Sequence, residues 1–402
     1  MPRKKRRHAE DLRGATRLAA DATRGVTDVV EAMHHTIASG PALLGRPLAR
    51  PARVVTAAIY GSIRGVTRLV SGGIDALLAQ LAPLLGESEP GPERAALIAA
   101  LNGVVGDHLA ETGNPLATEM RLVHEGVPLE LEKQELRAAM PRASGRILVL
   151  VHGSCMSESQ WKRGGHDHGA ALAASLGLVP IDVRYNSGLH ISTNGEKLSL
   201  LLDRLVAAWP APMERMSIVG HSMGGLVARA ACHAAETSGA RWRARLVDLV
   251  CIGSPHQGAM LERGGNLFEL LLGASRYSAP LGRLGRLRSA GVTDLRYGNV
   301  RGDDWSERDR FAGGKDPRRP LPLPDGVRCY AIAGTRSPGP ASRLRGDGLV
   351  SVGSALGLHR DPARAVAFPE SHRWIAYGTG HLDLLDRPEV YETLRAWLAT
   401  PS

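Results

Sequence analysis

Apolar residues recur with two different periods along the chain, and the period changes near residue 120. Before it the spacing is helical: Val55, Ile59, Ile63, Val66, Val70, Ile74, Leu77, Leu81 and Leu84 return every three or four positions. At about 100° per residue they share one face, and Arg53, Arg64 and Arg68 fall on the opposite one. RGVTDVV at 24–30 recurs as RGVTRLV at 64–70, which predicts two related helices packed as a hairpin. A third helix is expected over PERAALIAALNGVVGDHLAE, after Pro90 and Gly91.

After residue 120 short apolar runs alternate with helical stretches. LVHEGVPLEL and KQELRAAM are expected to form a short antiparallel pair. Then RILVLVHG, LVPIDVRYN, MSIVGH, LVDLVCIGSP and VRCYAIAG are interleaved with helices starting at Gly169, spanning 195–208 and starting at Met223. RAVAF as a last strand and PEVYETLRAWLA as a last helix close the chain. Such alternation predicts an α/β fold with a mostly parallel sheet and helices on both faces, and the β-branched, unalternating strands suit a sheet covered on both sides. The Gly-, Arg- and Pro-rich stretch 256–325 is expected to be a lid or insertion. The chain thus divides into a helical extension or cap, 1–120, and a catalytic domain, 121–402.

Composition narrows the function classes. With 402 residues, 43% of them hydrophobic, the chain can bury a sizeable core. The net charge of +10 comes from 44 arginines against 6 lysines, but only 4% of residues are aromatic, so there is little on which nucleic-acid bases would stack, and no nucleic-acid partner is predicted. Residues 1–88 hold 13 basic and 7 acidic side chains, +6 of that total. Joined to the amphipathic helix, this charge suits either a structural cap with a solvated arginine face or a peripheral contact with an anionic membrane. Cys155, Cys232, Cys251 and Cys329 have no C-x-x-C spacing, so neither a disulfide framework nor a zinc site is implied. MPRKKRRH is followed by AEDLRGATRL rather than an apolar core, and only ten uncharged residues separate Arg53 from Arg64. No signal peptide or membrane span is predicted, and the expected location is cytoplasmic, at most peripheral at the inner membrane face.

The chemistry centres on SIVGHSMGGL at 217–226. A G-x-S-x-G between a strand and a helix matches a nucleophile elbow, where a sharp turn strains the serine backbone and glycines two positions either side avoid clashes. Ser222 needs a histidine base oriented by a carboxylate. On this kind of sheet they follow in the order acid, then histidine. His381, in YGTGHLDLL between the last strand and the last helix, is the preferred base, with His372 in PESHRW as rival. Asp347 in RGDGLVSVGSAL is the expected acid, since Asp383 lies too close to His381 in sequence. Oxyanion donors are expected from the backbone amide of Met223 and from that of Ser154, after the His152-Gly153 turn.

VHGS, VGHSMGG, IGSPHQGA, GDGLV and GTGH in this order resemble the α/β-hydrolase superfamily, and within it bacterial lipases and esterases and the GPI inositol-deacylase-like hydrolases. The resemblance covers about 146–400 and implies Ser222 as nucleophile, Asp347 as acid, His381 as base, and Ser154 and Met223 as oxyanion donors. Serine and cysteine follow the His-Gly turn where many lipases carry other residues. Its implication is an esterase or lipase acting on an ester or lipid through an acyl-enzyme, with no metal or organic cofactor. An acyltransferase on the same triad, and a non-catalytic lipid-surface or partner-binding protein, are the alternatives.

Further residues lie near the expected cleft. Tyr185, Asn186 and His190 follow a strand at the ligand-binding end of the sheet, and Cys155 is expected to line the pocket. Asn194 is expected to cap the helix at 195–208, and His256 to brace the active-site loop. His166 and His168 form an H-x-H pair, but a capped helix start at Asp167 is favoured over a metal site.

Overall fold

The computed structural model describes residues 14, 92–141, 143–259, 289–307, 316, 318–341 and 344–400. The paired amphipathic helices with Arg53, Arg64 and Arg68, the charge-rich segment 1–88 apart from Gly14, and residues 260–288, 308–315 and 317 of the expected lid lie outside the described residues.

The strands are β1 (Arg121–His124), β2 (Val127–Pro128), β3 (Arg146–Val151), β4 (Lys162–Arg163), β5 (His166–Asp167), β6 (Val179–Arg184), β7 (Arg215–His221), β8 (Leu246–Ile252), β9 (Arg328–Gly334) and β10 (Arg373–Ala376). Eight of them form one sheet, ordered β10-β9-β8-β7-β3-β6-β1-β2. From β6 to β10 every neighbouring pair is parallel, and β1 and β2 extend the edge antiparallel. The helices are α1 (Pro92–Glu111), α2 (Lys133–Ala139), α3 (His168–Leu176), α4 (Ile191–Ala208), α5 (Met223–Ser238), α6 (Ala290–Asp294), α7 (Val352–Ala355) and α8 (Pro388–Ala399).

The two faces of the sheet follow from the two-residue period of its strands. In β3, Ile147, Val149 and Val151 join the core formed with α4 and α5, while Leu148 and Leu150 join Leu172 of α3 and Val390 and Leu394 of α8 on the other side. Cys251 and Val250 of β8 divide the same way. Burying each such Leu or Val contributes about 1.5–3 kcal/mol, so every central strand is held from both sides. The chain leaves β3 toward β6 and then returns to β7 on β3's other flank. The connections of β3 and β7 thus run in opposite directions along the sheet, and open α/β sheets bind ligands at the carboxyl ends of strands at such a reversal.

Three local expectations are corrected. KQELRAAM is helix α2: its residues are strong helix formers without strand alternation, and β1 pairs instead with β2 across Glu125-Gly126, both at positive φ (49° and 82°), as a two-residue hairpin turn requires. RAVAF is no strand. Val366 donates its amide to Gly357 and Phe368 is buried as a plug, while the place beside β9 is taken by Arg373–Ala376. Asn194 does not cap a helix, because α4 begins at Ile191, whose amide is accepted by the Asp294 carboxylate at 2.9 Å. Asn194 instead donates to the Asn186 carbonyl.

Candidate active site

Ser222 lies between the end of β7 and the start of α5, with φ 54° and ψ −122°. Such a backbone is strained for any residue with a Cβ and persists only when its surroundings enforce it. Here they do. The Ser222 amide donates to the Ile252 carbonyl at 2.8 Å, and the Ser222 carbonyl accepts from Gly225. The flanking glycines leave no alternative: a Cβ on Gly220 would lie 2.5 Å from the Gly225 nitrogen, and one on Gly224 would overlap the Val151 carbonyl oxygen and stand 2.6 Å from that of His152. Because backbone atoms are met rather than a flexible side chain, Gly224→Ala is expected to cost about 3 kcal/mol or more. A urea midpoint unchanged from the parent would contradict this.

His381 follows β10, on the turn before α8, and Asp347 lies on the loop after β9. The His381 Nδ1 donates to Asp347 Oδ2 at 2.7 Å, with both residues buried. The other carboxylate oxygen, Oδ1, accepts from the amides of Leu349 (2.9 Å) and Val350 (2.8 Å). The Asp347 carbonyl also accepts the His381 amide at 3.1 Å, so two contacts join the loops. With Nδ1 committed to the carboxylate, Nε2 is left as an acceptor, and it is buried without a partner among the described residues. A Cβ on Gly253, which follows the Ile252 that holds Ser222, would stand 3.3 Å from His381 Cε1. The imidazole is thus packed against the loop that anchors the serine.

His221, which the G-x-S-x-G motif does not single out, ties these parts together. It is fully buried, donates from Nε2 to the His381 carbonyl at 3.1 Å, and its ring centroid lies 4.8 Å from that of His381. Burial, then the nearby His381, holds its pKa well below the usual histidine value, so it is a neutral strut. Its place next to the serine was the only sequence signal. His372 points elsewhere: Nδ1 donates to the Cys329 carbonyl and the ring packs on Tyr330.

The structure also brings the β3 loop to the serine. A Cβ on Gly153 would stand 3.1 Å from Ser222 Cβ, and Ser154 and Met223 are buried beside it. Met223 opens α5, where the first amides have no acceptor within the helix and the dipole favours negative charge. The Cys155 amide is already engaged, donating to Ser187 Oγ at 3.0 Å. Burial pushes the Cys155 thiol up to about 11. Tyr185 stacks on His152 and donates to its carbonyl. Asn186 is spent on structure: it donates to the Gly106 carbonyl and accepts from Gly188. His190 stacks on Trp305 and pairs with Asp294 at 3.0 Å. His256 is buried, accepts from Arg229 at 3.3 Å, and is held well below the usual value by burial and then by the charges of Arg229 and Arg318.

The Asp167 side chain caps α3 by accepting from Ala170, and His168 donates to the Leu384 carbonyl. No group of metal-ligating side chains is assembled among the described residues.

A strained serine at a strand-to-helix turn, at the carboxyl end of a central strand of a mostly parallel eight-stranded sheet, defines the architecture. The chain has the α/β-hydrolase fold. Residues 196–310, less than half of the chain, match the family described as the PGAP1-like alpha/beta domain. No curated protein matches the chain in sequence. Solved structures that resemble this chain include the mature lipase BlEst2 of Bacillus licheniformis, 16% identical at a TM-score of 0.43, with 70% of this chain and 98% of that one covered. The RedJ thioesterase of Streptomyces coelicolor is 17% identical at 0.35, covering 64% and 91%. EstA of Clostridium botulinum is 12% identical at 0.34, covering 64% and 88%. Among the described residues, no helix is long and apolar enough to cross a membrane.

Proposed function

We propose that this α/β-hydrolase is a serine hydrolase that cleaves carboxylic esters, including those of lipids, through an acyl-enzyme on Ser222. The observation that carries the reading is the buried 2.7 Å bond from His381 Nδ1 to Asp347 Oδ2, taken together with a serine in strained elbow geometry whose anchoring loop the imidazole packs against. Asp347 orients the imidazole so that Nε2 accepts the proton of the Ser222 hydroxyl as Oγ attacks the ester carbonyl. The negative charge that develops on the carbonyl oxygen is met by the amides of Ser154 and Met223, in a buried pocket where such dipoles act strongly. The same proton passes from Nε2 to the departing alcohol. Water then enters, gives its proton to Nε2 and attacks the acyl carbon, releasing the acid and restoring Ser222.

A fluorophosphonate reagent tests this, since it phosphonylates only an activated serine. Peptide mapping is expected to find one labelled site, Ser222. A native protein that resists the reagent, or carries the label elsewhere, would refute the assignment.

A further inference from the structure

Helix α1 precedes the sheet in sequence, yet it packs directly on the loops at the sheet's carboxyl end. A Cβ on Gly103 would overlap Cys155 Sγ and lie 2.8 Å from Cys155 Cα, and a Cβ on Gly106 would overlap Asn186 Oδ1. A Cβ on Gly188 would in turn overlap the Asn102 carbonyl and lie 2.8 Å from the Gly106 nitrogen. Between the two glycines the helix is kinked at Val105, with φ −133° and ψ 21°. Its far side is tied down too: Ser289 Oγ donates to the Gly103 carbonyl, and the Ala290 amide donates to Asp107 Oδ2.

The residue on which α1 presses, Cys155, has a positive φ of 58°, unusual for a side chain of its size. Its amide is pinned by Ser187 Oγ. The Ser154–Cys155 turn is therefore held by both α1 and Ser187, in a conformation it would not hold alone. We propose that Gly103 of α1 and Ser187 are positioning residues that hold this turn so that the Ser154 amide faces the reacting carbonyl oxygen. The inference rests on the hydrolase reading above, and it makes α1 part of the machinery that sets turnover.

Gly103→Ala is an apt probe, because its backbone is helical and alanine is otherwise favoured in helices. A purely structural reading predicts no loss of rate. On the present inference the added methyl displaces Cys155, and kcat on a short p-nitrophenyl ester falls about tenfold to hundredfold, since a displacement near 1 Å costs on that order, while KM changes little. In a Cys155→Gly background, where the obstructing Cβ and Sγ are gone, positive φ is unstrained and only the 2.8 Å approach to the Cα remains, the same Gly103→Ala change is expected to cost several-fold less. Ser187→Ala, which removes one hydroxyl, supplies a milder variant should Gly103→Ala not fold, and it too is expected to lower kcat rather than raise KM. Equal penalties for Gly103→Ala in both backgrounds, or full kcat in both Gly103→Ala and Ser187→Ala, would overturn the inference while leaving the hydrolase standing. A wild-type protein whose Ser222 resists fluorophosphonate would overturn both.

Discussion

Replacing Ser222 or His381 by alanine is expected to lower ester turnover by about 10³-fold or more, because each removes the same covalent route. The two losses should not add. Once the nucleophile is gone, the base has no hydroxyl to activate, so the double variant is expected to match the Ser222→Ala single. Asp347→Asn should also cripple turnover. Its Oδ1 is saturated by the Leu349 and Val350 amides and Oδ2 holds the His381 Nδ1, so an amide nitrogen there would face a donor with another donor. His372→Ala serves as the contrast, since that imidazole is committed to the Cys329 carbonyl and Tyr330. Steady-state rates on p-nitrophenyl esters, with far-UV circular dichroism to confirm folding, decide the matter. An active His381→Ala protein beside an inactive His372→Ala one would move the base, and an unaffected Asp347→Asn would reopen the search for the acid.

The sheet was legible because its signals are local. Runs such as ILVLV and LVDLVCI carry enough β-branched and apolar residues to mark buried parallel strands wherever they occur, and the G-x-S-x-G after MSIVGH marks its own turn. The contact between Asp347 and His381 was legible only conditionally: a Gly-Asp-Gly turn is unremarkable until it is read together with a serine elbow and a histidine loop. The misread elements had their outcome set by distant partners. RAVAF has strand-like residues, but the position beside β9 is filled by RWIA. Asn194 is a good capping residue, but Asp294, a hundred positions later, accepts the amide at the start of α4. His221, Ser187 and Gly103 escaped for the same reason, since each matters through a contact that only the folded chain creates.

A protein with this core is also expected to lose stability steeply between pH 6.5 and about pH 4. His152 and His168 are both fully buried, and desolvation lowers each to about 4, only partly countered by their bonds to the carbonyls of Gly153 and Leu384. A histidine lowered in this way takes up its proton more readily in the unfolded chain, so its contribution is complete above about 6.5 and is lost as pH falls toward about 4. At about 1.4 kcal/mol per pH unit, each costs about 3 kcal/mol by the lower end. His221 and His256, both well below the usual value through burial, add to the loss in the same direction. Asp182 opposes them. Burial, then the neighbouring Asp167 and Glu158 carboxylates, raises it to about 7, so its stabilising effect is full below about 3.8 and fades as pH rises through 7. Acidification therefore returns up to about 4 kcal/mol at that site. Four histidines outweigh one aspartate, and the balance is a net loss of several kcal/mol from a total of about 5–15. Glu158 and Asp316 act only at the acid end: burial would raise each, but the hydrogen bonds and charges of Arg184 and Arg318 outweigh it and hold them below the usual carboxylate range. Urea midpoints at half-unit steps from pH 7.5 to 4.5 measure the slope. His168→Gln, at a position with no part in the proposed chemistry, is expected to flatten it by close to one proton's worth. A parent protein equally stable across that window, or a variant with an unchanged slope, would mean that these imidazoles are not held neutral by burial.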